Sequence, residues 1–171
     1  MQDVKSVILN TIKDNPGIRY RELLRAVGVM NGVLSYHLNL LEKENVIVSE
    51  RYKGIVRYYL YGIDKDEARI LGMLRIPMVK VIIEFMLDNG PCSLATLSQH
   101  LHRSKSTISW HLKRLIDEGI VIKHNNNNVY YIGDKDKIKS VILKYKKELE
   151  KVDTIDLLAD NYTDIIEELR F

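Results

Sequence analysis

Two stretches of equal length carry side chains that suit nucleic-acid chemistry at matching positions. GVLSYHLNLLEKENVI runs from Gly32 to Ile47, and STISWHLKRLIDEGIV runs from Ser106 to Val121. Each begins with small or hydroxyl residues, which are followed by one aromatic residue and then by an amide or an amine. Amides and amines can bond to base edges, hydroxyls bond to phosphates, and an aromatic ring can cover a thymine methyl group. The pattern therefore predicts DNA contact if one helix face exposes these residues together.

Both stretches belong to a longer internal repeat with an offset of 74 residues. No gap is needed from Val4 to Val48, and only after that does the first copy run two residues longer than the second. A repeat of this length predicts two copies of one folding unit. In each copy the residue pattern predicts a helix, a short extended piece, a second helix, a turn, a third helix and a two-stranded hairpin.

That order of elements is the winged helix-turn-helix, in which the third helix turns one face outward and closes the core with the other. The predicted fold class is mainly α with small β wings, built as two tandem winged helix-turn-helix domains plus C-terminal amphipathic helices. We predict the third, or recognition, helices at residues 31–44 and 105–118, with Asn31 as a plausible N-cap of the first.

A helical wheel separates a leucine- and isoleucine-rich face from a polar face on each recognition helix. The predicted core faces consist of Leu34, Leu38 and Leu41 in the first copy and Ile108, Leu112, Leu115 and Ile116 in the second. We predict DNA contacts from the other side and flanks, which carry Asn31, Gly32, Val33, Ser35, Tyr36 and Asn39 in the first copy and Arg103, Lys105, Ser106, Thr107, Ser109, Trp110, Lys113 and Arg114 in the second.

The hairpins, or wings, are predicted to bind the DNA backbone. The first wing carries Arg51, Lys53 and Arg57, and the second carries Lys123 beside four asparagines. Cations on a hairpin next to a recognition helix suit phosphates or an adjacent minor groove. The second helix of the first copy adds three further cations, Arg19, Arg21 and Arg25. The first copy is therefore expected to supply more of the backbone attraction.

Some of these residues have a second interpretation. Trp110 and Tyr36 either contact DNA or pack against a neighbouring protein surface. His37 and His111 lie beside the core faces and are expected to be structural histidines with satisfied hydrogen bonds. Lys113 and Arg114 either belong to the interface or form an ordinary solvated face.

The motifs resemble the recognition helix and following strand of ArsR/MarR-type winged-helix regulators. The layout of residues 4–132 is similar to that of archaeal tandem winged-helix regulators, among them regulators of motility-gene (archaellum) promoters. The resemblance implies sequence-specific promoter binding by both recognition helices. Metal-sensing members carry paired cysteines, whereas Cys92 is the single cysteine of this chain. Neither a metal nor another cofactor is therefore expected.

Composition and charge agree with a polyanion-binding protein. Residues 1–152 carry 25 Lys and Arg against 17 Asp and Glu, a net charge of +8, whereas residues 153–171 carry one Arg against six acids, a net charge of −5. A basic body with an acidic end fits DNA binding combined with a separate contact segment. Because the sequence shows no secretory signal and no apolar run of ~18 residues, we expect a cytoplasmic protein without a membrane span.

The predicted domains are residues 1–62 and 76–133, joined by a helical linker at 63–75 and followed by a helical segment at 134–171. Apolar residues at helical spacing in this last segment must be covered by something. The candidates are a second copy of the chain, the winged units and the basal transcription machinery. A homodimer formed through these helices is the expected arrangement.

Two classes of function compete on this sequence. The preferred one is a sequence-specific, double-stranded DNA-binding transcription regulator. The alternative is a tandem winged-helix scaffold that binds proteins of the transcription or chromosome-segregation machinery, because Val33 and Leu40 flank the first recognition helix with apolar surface. An enzyme is not expected, since the sequence has no Gly-rich phosphate loop, nucleophile elbow or spaced metal-ligand set.

Overall fold

The computed structural model describes residues 3–151. The chain divides into two compact units, one reaching Gly72 and the other starting at Met73. The predicted linker is a helix, α4 (Lys65–Leu74), and this division falls inside it. The domain limits expected from the sequence stay a prediction.

The first unit follows the predicted order of elements. It consists of α1 (Val4–Asp14), β1 (Ile18–Arg19), α2 (Tyr20–Val27), α3 (Asn31–Lys43), β2 (Ile47–Tyr52), β3 (Ile55–Leu60) and most of α4. The three strands form one antiparallel sheet in the order β1-β3-β2, in which Ile18 pairs with Tyr58 and Tyr52 pairs with Ile55.

The second unit repeats the layout and adds two helices. It consists of α5 (Pro77–Asn89), β4 (Cys92–Ser93), α6 (Leu94–His100), α7 (Lys105–Asp117), β5 (Val121–His124), β6 (Val129–Ile132), α8 (Lys135–Lys144) and α9 (Lys146–Glu150). Its antiparallel sheet has the equivalent order β4-β6-β5, in which Cys92 pairs with Tyr130 and His124 pairs with Val129. The two tandem winged helix-turn-helix units predicted from the sequence are confirmed.

Equivalent positions form the two cores. In each recognition helix, three apolar residues at i, i+4 and i+7 face inward, as the periodicity predicts. The buried positions of the first unit include Ile8, Ile12, Leu23, Leu34, Leu38 and Leu41, and those of the second include Ile82, Met86, Leu97, Ile108, Leu112 and Leu115. Each residue of the second set lies 74 positions after its counterpart in the first. The offset seen in the sequence is therefore an offset between equivalent structural positions.

Two backbone turns also recur at this offset. Gly28, after α2, and His102, after α6, both have positive φ angles of 70° and 51°. Asn45 and Gly119, which follow the recognition helices, have φ angles of 53° and 67°. A left-handed residue ends a helix sharply and lets the chain reverse. These turns set where each recognition helix begins and where the chain leaves it for the wing.

The first wing ends in a two-residue turn. Lys53 and Gly54 connect the paired residues Tyr52 and Ile55, and both turn residues have positive φ angles, 43° and 82°. Two consecutive left-handed residues give a turn whose twist matches that of the flanking strands. The turn holds the Lys53 side chain at the tip of the wing, where it is exposed.

α4 packs on the sheet of the first unit. The Asp64 carboxylate accepts a hydrogen bond from the Glu67 amide at 3.1 Å, just before the first turn of α4. The fully buried Tyr59 donates its hydroxyl proton to the Ala68 carbonyl at 2.9 Å. Gly72 lies one turn further along, where a Cβ atom would come within 2.9 Å of the Tyr59 hydroxyl oxygen and 3.1 Å of Arg57 Cδ. The close contact between helix and sheet therefore depends on glycine at this position.

Several local predictions are wrong. Met30, not Asn31, is the N-cap of α3, and Asn31 is the first helical residue. Ile116 was predicted on the core face of the second recognition helix but is 36% exposed. The helix expected after Gly133 is divided at Tyr145 into α8 and α9. The second predicted amphipathic stretch of the C-terminal segment, residues 154–171, lies outside the described residues.

Residues 3–151 contain neither a candidate membrane span nor a candidate metal site. Within that range, none of the helices combines the length and apolar character that crossing a membrane would need. The same residues bring together no group of three or more His, Cys, Asp or Glu side chains that could hold a metal ion.

Replacing Gly72 with Ala tests the contact between α4 and β3. We expect Gly72→Ala to destabilise the protein by about 1–3 kcal/mol, because the new methyl group overpacks the site occupied by the Tyr59 hydroxyl. In a Tyr59→Phe background the same change should cost less, since the hydroxyl is absent. The measurement is urea unfolding followed by circular dichroism.

Gly32→Ala is the matched control for helix propensity. Gly32 lies in α3 with no atom within 4 Å of the position of an added Cβ. Alanine is a better helix former than glycine, so this change should leave stability unchanged or raise it. Strict additivity of Gly72→Ala and Tyr59→Phe would show that the two groups do not interact.

Candidate nucleic-acid interface

The outer face of α3 presents small, amide and aromatic side chains. Asn31, Gly32, Tyr36 and Asn39 are exposed, and Tyr36 keeps 65% of its surface in solvent. Of the other predicted contact residues on this helix, Val33 and Ser35 are half-buried. The structure thus brings the first predicted recognition surface together, with its most accessible groups near the N-terminal half of the helix.

A tyrosine of α2 holds the start of this surface. The Tyr20 hydroxyl lies 2.6 Å from Asn31 Oδ1, 3.1 Å from the Asn31 carbonyl oxygen and 2.8 Å from Ser35 Oγ. The Arg19 backbone amide and Nε both bond to the Glu22 carboxylate, at 3.1 and 2.8 Å. Arg19 is therefore engaged within α2, whereas Arg21 and Arg25 are exposed.

The outer face of α7 carries more donors than that of α3. Lys105, Ser106, Ser109 and Lys113 are exposed. The helix begins at Ser104, whose Oγ accepts a hydrogen bond from the Thr107 amide at 3.1 Å. Ser104 Oγ also lies 2.9 Å from Ser106 Oγ and 2.8 Å from Thr107 Oγ1. This cap lines up three hydroxyls at the N-terminus of the helix, where free amides and the helix dipole favour phosphate.

Trp110 is half-buried and supported on two sides. The Arg114 guanidinium carbon lies 4.8 Å from the centre of its ring, and the His111 ring packs edge-on at a centroid distance of 4.7 Å and an angle of 81°. A cation over an aromatic face attracts it electrostatically. These contacts restrain the indole while leaving part of it accessible for a partner.

Arg114 does not lie on the outer face, so its prediction as a DNA contact is wrong. Only 3% of its surface is exposed. The wheel placed it on the flank of α7, but its side chain is covered and its guanidinium stacks on Trp110. Its neighbour Lys113 is exposed, which separates the two basic residues that the sequence presents as a pair.

The two histidines occupy equivalent places. His37 packs edge-on against Tyr36 at 5.3 Å and 76°, as His111 does against Trp110. His111 is 1% exposed, in agreement with a structural role. The expectation of satisfied hydrogen bonds is wrong for His37, whose buried Nδ1 has no hydrogen-bond partner in the described part of the chain.

The wings differ in how many of their cations are available. Arg51 and Lys53 are exposed on the first wing, and Lys123 is exposed on the second. Arg57 is half-buried and donates from Nη1 to the Gly17 carbonyl at 2.9 Å. This bond connects β3 to the loop before β1, and the phosphate contact of Arg57 stays a prediction.

Arg103 takes part in the turn between α6 and α7. Its amide bonds to the Ser98 carbonyl at 3.2 Å, and its own carbonyl accepts a hydrogen bond from Ser98 Oγ at 2.6 Å. Nη1 donates to the His102 carbonyl at 3.2 Å. The side chain is half-buried and lies directly before the hydroxyl cluster of α7.

Two buried groups have raised pKa values. Burial raises the pKa of the Tyr58 hydroxyl to about 12, with further contributions from Glu42 and Tyr20 and an opposing one from Arg51. Burial also raises the pKa of the Cys92 thiol. Both groups remain protonated at neutral pH, so neither adds charge to the candidate interface, and Cys92 lacks the thiolate character of a nucleophile.

The sequence interpretation missed Tyr20, Ser104 and Met30. Ser104 was detectable, because a serine directly before a helical pattern is a typical N-cap. Met30 is 77% exposed next to Asn31, but the sequence pattern alone does not distinguish it from a core residue. Tyr20 contacts residues 11 and 15 positions away, and only the angle between α2 and α3 brings them together.

Comparisons with known proteins agree with the two units. Residues 2–71 match a family described as an N-terminal HTH domain, and residues 80–122 match one described as winged helix-turn-helix DNA-binding. The chain is also similar to an uncharacterized HTH-type transcriptional regulator from Methanocaldococcus jannaschii, with 32% identity over 149 residues. That alignment covers 86% of this chain and 36% of the relative, so the chain spans about a third of that protein. The chain thus carries two helix-turn-helix domains and has an archaeal homologue with a regulator's name.

Replacing Arg114 with Leu tests whether the guanidinium holds Trp110 in place. Leucine stands at the equivalent position of α3, Leu40. Because Trp110 is the single tryptophan of the chain, its fluorescence reports on this site alone. We expect Arg114→Leu to make the indole more accessible, which acrylamide quenching would show as a steeper Stern–Volmer slope.

The control for this substitution is Lys113→Leu, the same change at the exposed neighbouring residue. It should leave quenching of the free protein near the wild-type value. Equal slopes for all three proteins would show that Arg114 does not restrain the ring. Circular dichroism confirms that each variant is folded.

Proposed function

We propose that this chain is a sequence-specific, double-stranded DNA-binding transcription regulator. The observation that carries the proposal is the exposed face shared by α3 and α7. On each helix the side opposite the buried triad presents small, polar and aromatic groups at equivalent positions, among them Tyr36 and Trp110. Recognition helices of helix-turn-helix proteins use such a face in the major groove.

The dimensions of this face fit a groove. Ser106 and Lys113 are separated by seven residues, so they lie about 10 Å apart along the helix axis. A major groove is about 12 Å wide, and base pairs stack every ~3.4 Å. Each helix would thus contact about three to four base pairs.

The side chains suit distinct partners on the DNA. Lys113 can donate to guanine O6 and N7, and Asn39 can pair with adenine, while Trp110 and Tyr36 can cover a thymine methyl group or a sugar. Ser106 lies at the start of α7, close to where the helix N-terminus would meet a phosphate. In this arrangement α7 contributes more of the sequence preference than α3.

Backbone binding falls mainly to the wings. Arg51 and Lys53 on the first wing and Lys123 on the second are exposed. With Arg21 and Arg25 of α2, also exposed, the first unit supplies more of the attraction to phosphates. We propose that each unit binds DNA with its recognition helix in a major groove and its wing on the backbone.

The finer classification belongs to the same proposal. The tandem layout and the matching motifs support an archaeal, ArsR/MarR-like regulator, and the archaellum-promoter type shares this layout. A promoter-binding role would place the chain in the cytoplasm of an archaeal cell. Contact with the basal transcription machinery would be the second interaction of such a regulator.

A scaffold that binds proteins is the second candidate function. Met30 is 77% exposed and Tyr36 is 65% exposed, and both lie in the first half of the α3 surface. Exposed apolar groups at this density are also typical of a protein-binding patch. The scaffold predicts binding with little dependence on salt, whereas DNA binding predicts a strong one.

A second copy of the chain is the partner we propose for the surface of α5, α8 and α9. These helices border a groove of about 660 Å³, lined by Lys80, Glu84, Leu87, Asp88, Lys139, Ile142, Leu143, Lys146, Leu149 and Glu150. Leu143 is 76% exposed. The lining carries three lysines and three acids, so its charges balance and two copies could meet there without net repulsion.

In-vitro selection from random duplexes, with affinity then measured at several salt concentrations, tests the proposed function. We expect one enriched motif and a steep decrease in affinity with salt, because each neutralised phosphate releases counterions. Quenching of Trp110 fluorescence gives a direct binding signal. Binding that shows neither enrichment nor salt dependence would support the scaffold instead.

Substitution of a wing cation sharpens this test. Lys53→Ala should weaken all duplexes to a similar degree and reduce the salt slope by about one. Lys135→Ala removes an exposed lysine of α8 that lies outside the proposed interface, and should leave the slope unchanged. Trp110→Ala should instead reduce the preference for the selected motif over random DNA.

Leu143→Glu tests the proposed homodimer. The proposed interface would bury Leu143, and a charge at this position would open it, so light scattering should show a dimer for the wild type and a monomer for the variant at micromolar concentration. Ser140→Glu, which adds the same charge on α8 outside the groove lining, is the matched control and should stay dimeric. A monomeric wild-type protein would contradict the homodimer.

A further inference from the structure

The Tyr20 hydroxyl lies at the junction of three polar groups of α3. It approaches Asn31 Oδ1 at 2.6 Å and Ser35 Oγ at 2.8 Å, and the Asn31 carbonyl oxygen at 3.1 Å. A phenol has a single proton to donate. The shortest contact, to Asn31 Oδ1, identifies where that proton goes.

The direction of these hydrogen bonds determines what α3 offers to a partner. Because Tyr20 donates to Asn31 Oδ1, the hydroxyl of Ser35 donates to the Tyr20 oxygen. The proton of Ser35 is then used inside the unit. The Nδ2 group of Asn31, with two protons, forms no hydrogen bond within the described residues, and Asn31 is exposed. The start of the recognition helix thus presents an amide donor.

We propose that Tyr20 is a positioning residue that determines specificity. By binding the side-chain oxygen of Asn31, it leaves the Asn31 amide group to donate a hydrogen bond to an acceptor on a base edge. The acceptors in the major groove are guanine O6 and N7, thymine O4 and adenine N7, and guanine is the base that presents two adjacent acceptors with no donor beside them. Adenine is the usual partner of an asparagine, but that pairing needs the side-chain oxygen as an acceptor for the adenine amino group. The Tyr20 hydroxyl takes one of the two lone pairs of this oxygen and fixes the orientation of the amide, so the oxygen is less available to the adenine amino group. The inference rests on the proposed function of α3.

In the second unit, different residues place a hydrogen-bond donor at the start of the recognition helix. The counterparts of Tyr20 and Asn31 are Leu94 and Lys105. Leucine has no hydroxyl, and the ammonium group of lysine donates hydrogen bonds and accepts none. The start of α7 is held by the Ser104 cap instead. Both recognition helices therefore present a donor at their first position, and in the first unit an amide does so because Tyr20 directs it.

Tyr20→Phe removes the hydroxyl and keeps the ring. The experiment compares the motif selected by the wild-type protein with that selected by the variant, and measures affinities for duplexes that differ at the position assigned to Asn31. We expect the wild type to prefer an acceptor-rich edge there over adenine. The variant should lose about fivefold of this preference, the effect of one net hydrogen bond, and should accept adenine because the amide oxygen is released.

A double-mutant cycle separates positioning from a structural role. In an Asn31→Ala background, Tyr20→Phe should have no further effect on the preference at this position. Tyr61→Phe is the matched control, because Tyr61 is 63% exposed just after β3 and outside the proposed interface. It should change neither affinity nor preference.

The remaining outcomes all contradict the inference. An unchanged motif for Tyr20→Phe, or an equal loss of affinity for every duplex, would show that Tyr20 only supports the unit. A wild-type protein that enriches no motif would instead contradict the proposed function, and the inference with it. Circular dichroism of each variant identifies any loss of folding.

Discussion

The spacing of three apolar residues on each recognition helix is the constraint on which the rest of the structure depends. Leu34, Leu38 and Leu41 face the core of the first unit and are almost fully buried, as are their counterparts in α7. Because a helix has 3.6 residues per turn, residues between these positions are forced to the opposite side. The same burial that stabilises each unit by roughly 1.5–3 kcal/mol per large apolar side chain therefore exposes Tyr36 and Asn39 together.

This constraint also explains how much could be predicted. Periodicity and turn residues located the helices and strands to within about two residues, because burial patterns and helix-stopping residues are local. The helical wheel also predicted correctly that Tyr36, Asn39 and Lys113 are exposed. The prediction of a continuous helix after Gly133 was wrong at Tyr145, although Ile138 and Val141 are buried as expected.

Sequence patterns do not show which charged and polar side chains find partners elsewhere in the fold. A wheel assigns Arg114 to the surface because charge normally prefers water, but the ring of Trp110 gives its guanidinium a favourable contact away from solvent. Arg57 bonds to the Gly17 carbonyl 40 residues away. Long flexible side chains can reach such partners, and no local pattern encodes them. Tyr20 belongs to the same group, since α2 and α3 meet only in the folded unit.

Duplication separates what a winged unit needs for folding from what it is free to vary. The buried positions and the left-handed turns recur after 74 residues. The side chains that contact the exposed aromatic residues do not recur, because Trp110 stacks on Arg114, whereas Leu40 is the counterpart of that arginine in α3. The repeated scaffold thus carries two aromatic residues with different supports, Trp110 beside Arg114 and Tyr36 without an arginine at the equivalent position. A ring that is already restrained loses less conformational entropy when it meets a partner. In the proposed interface α7, whose aromatic residue is held in place, would therefore have the lower entropic cost of binding, and α3 would depend more on its exposed cationic wing.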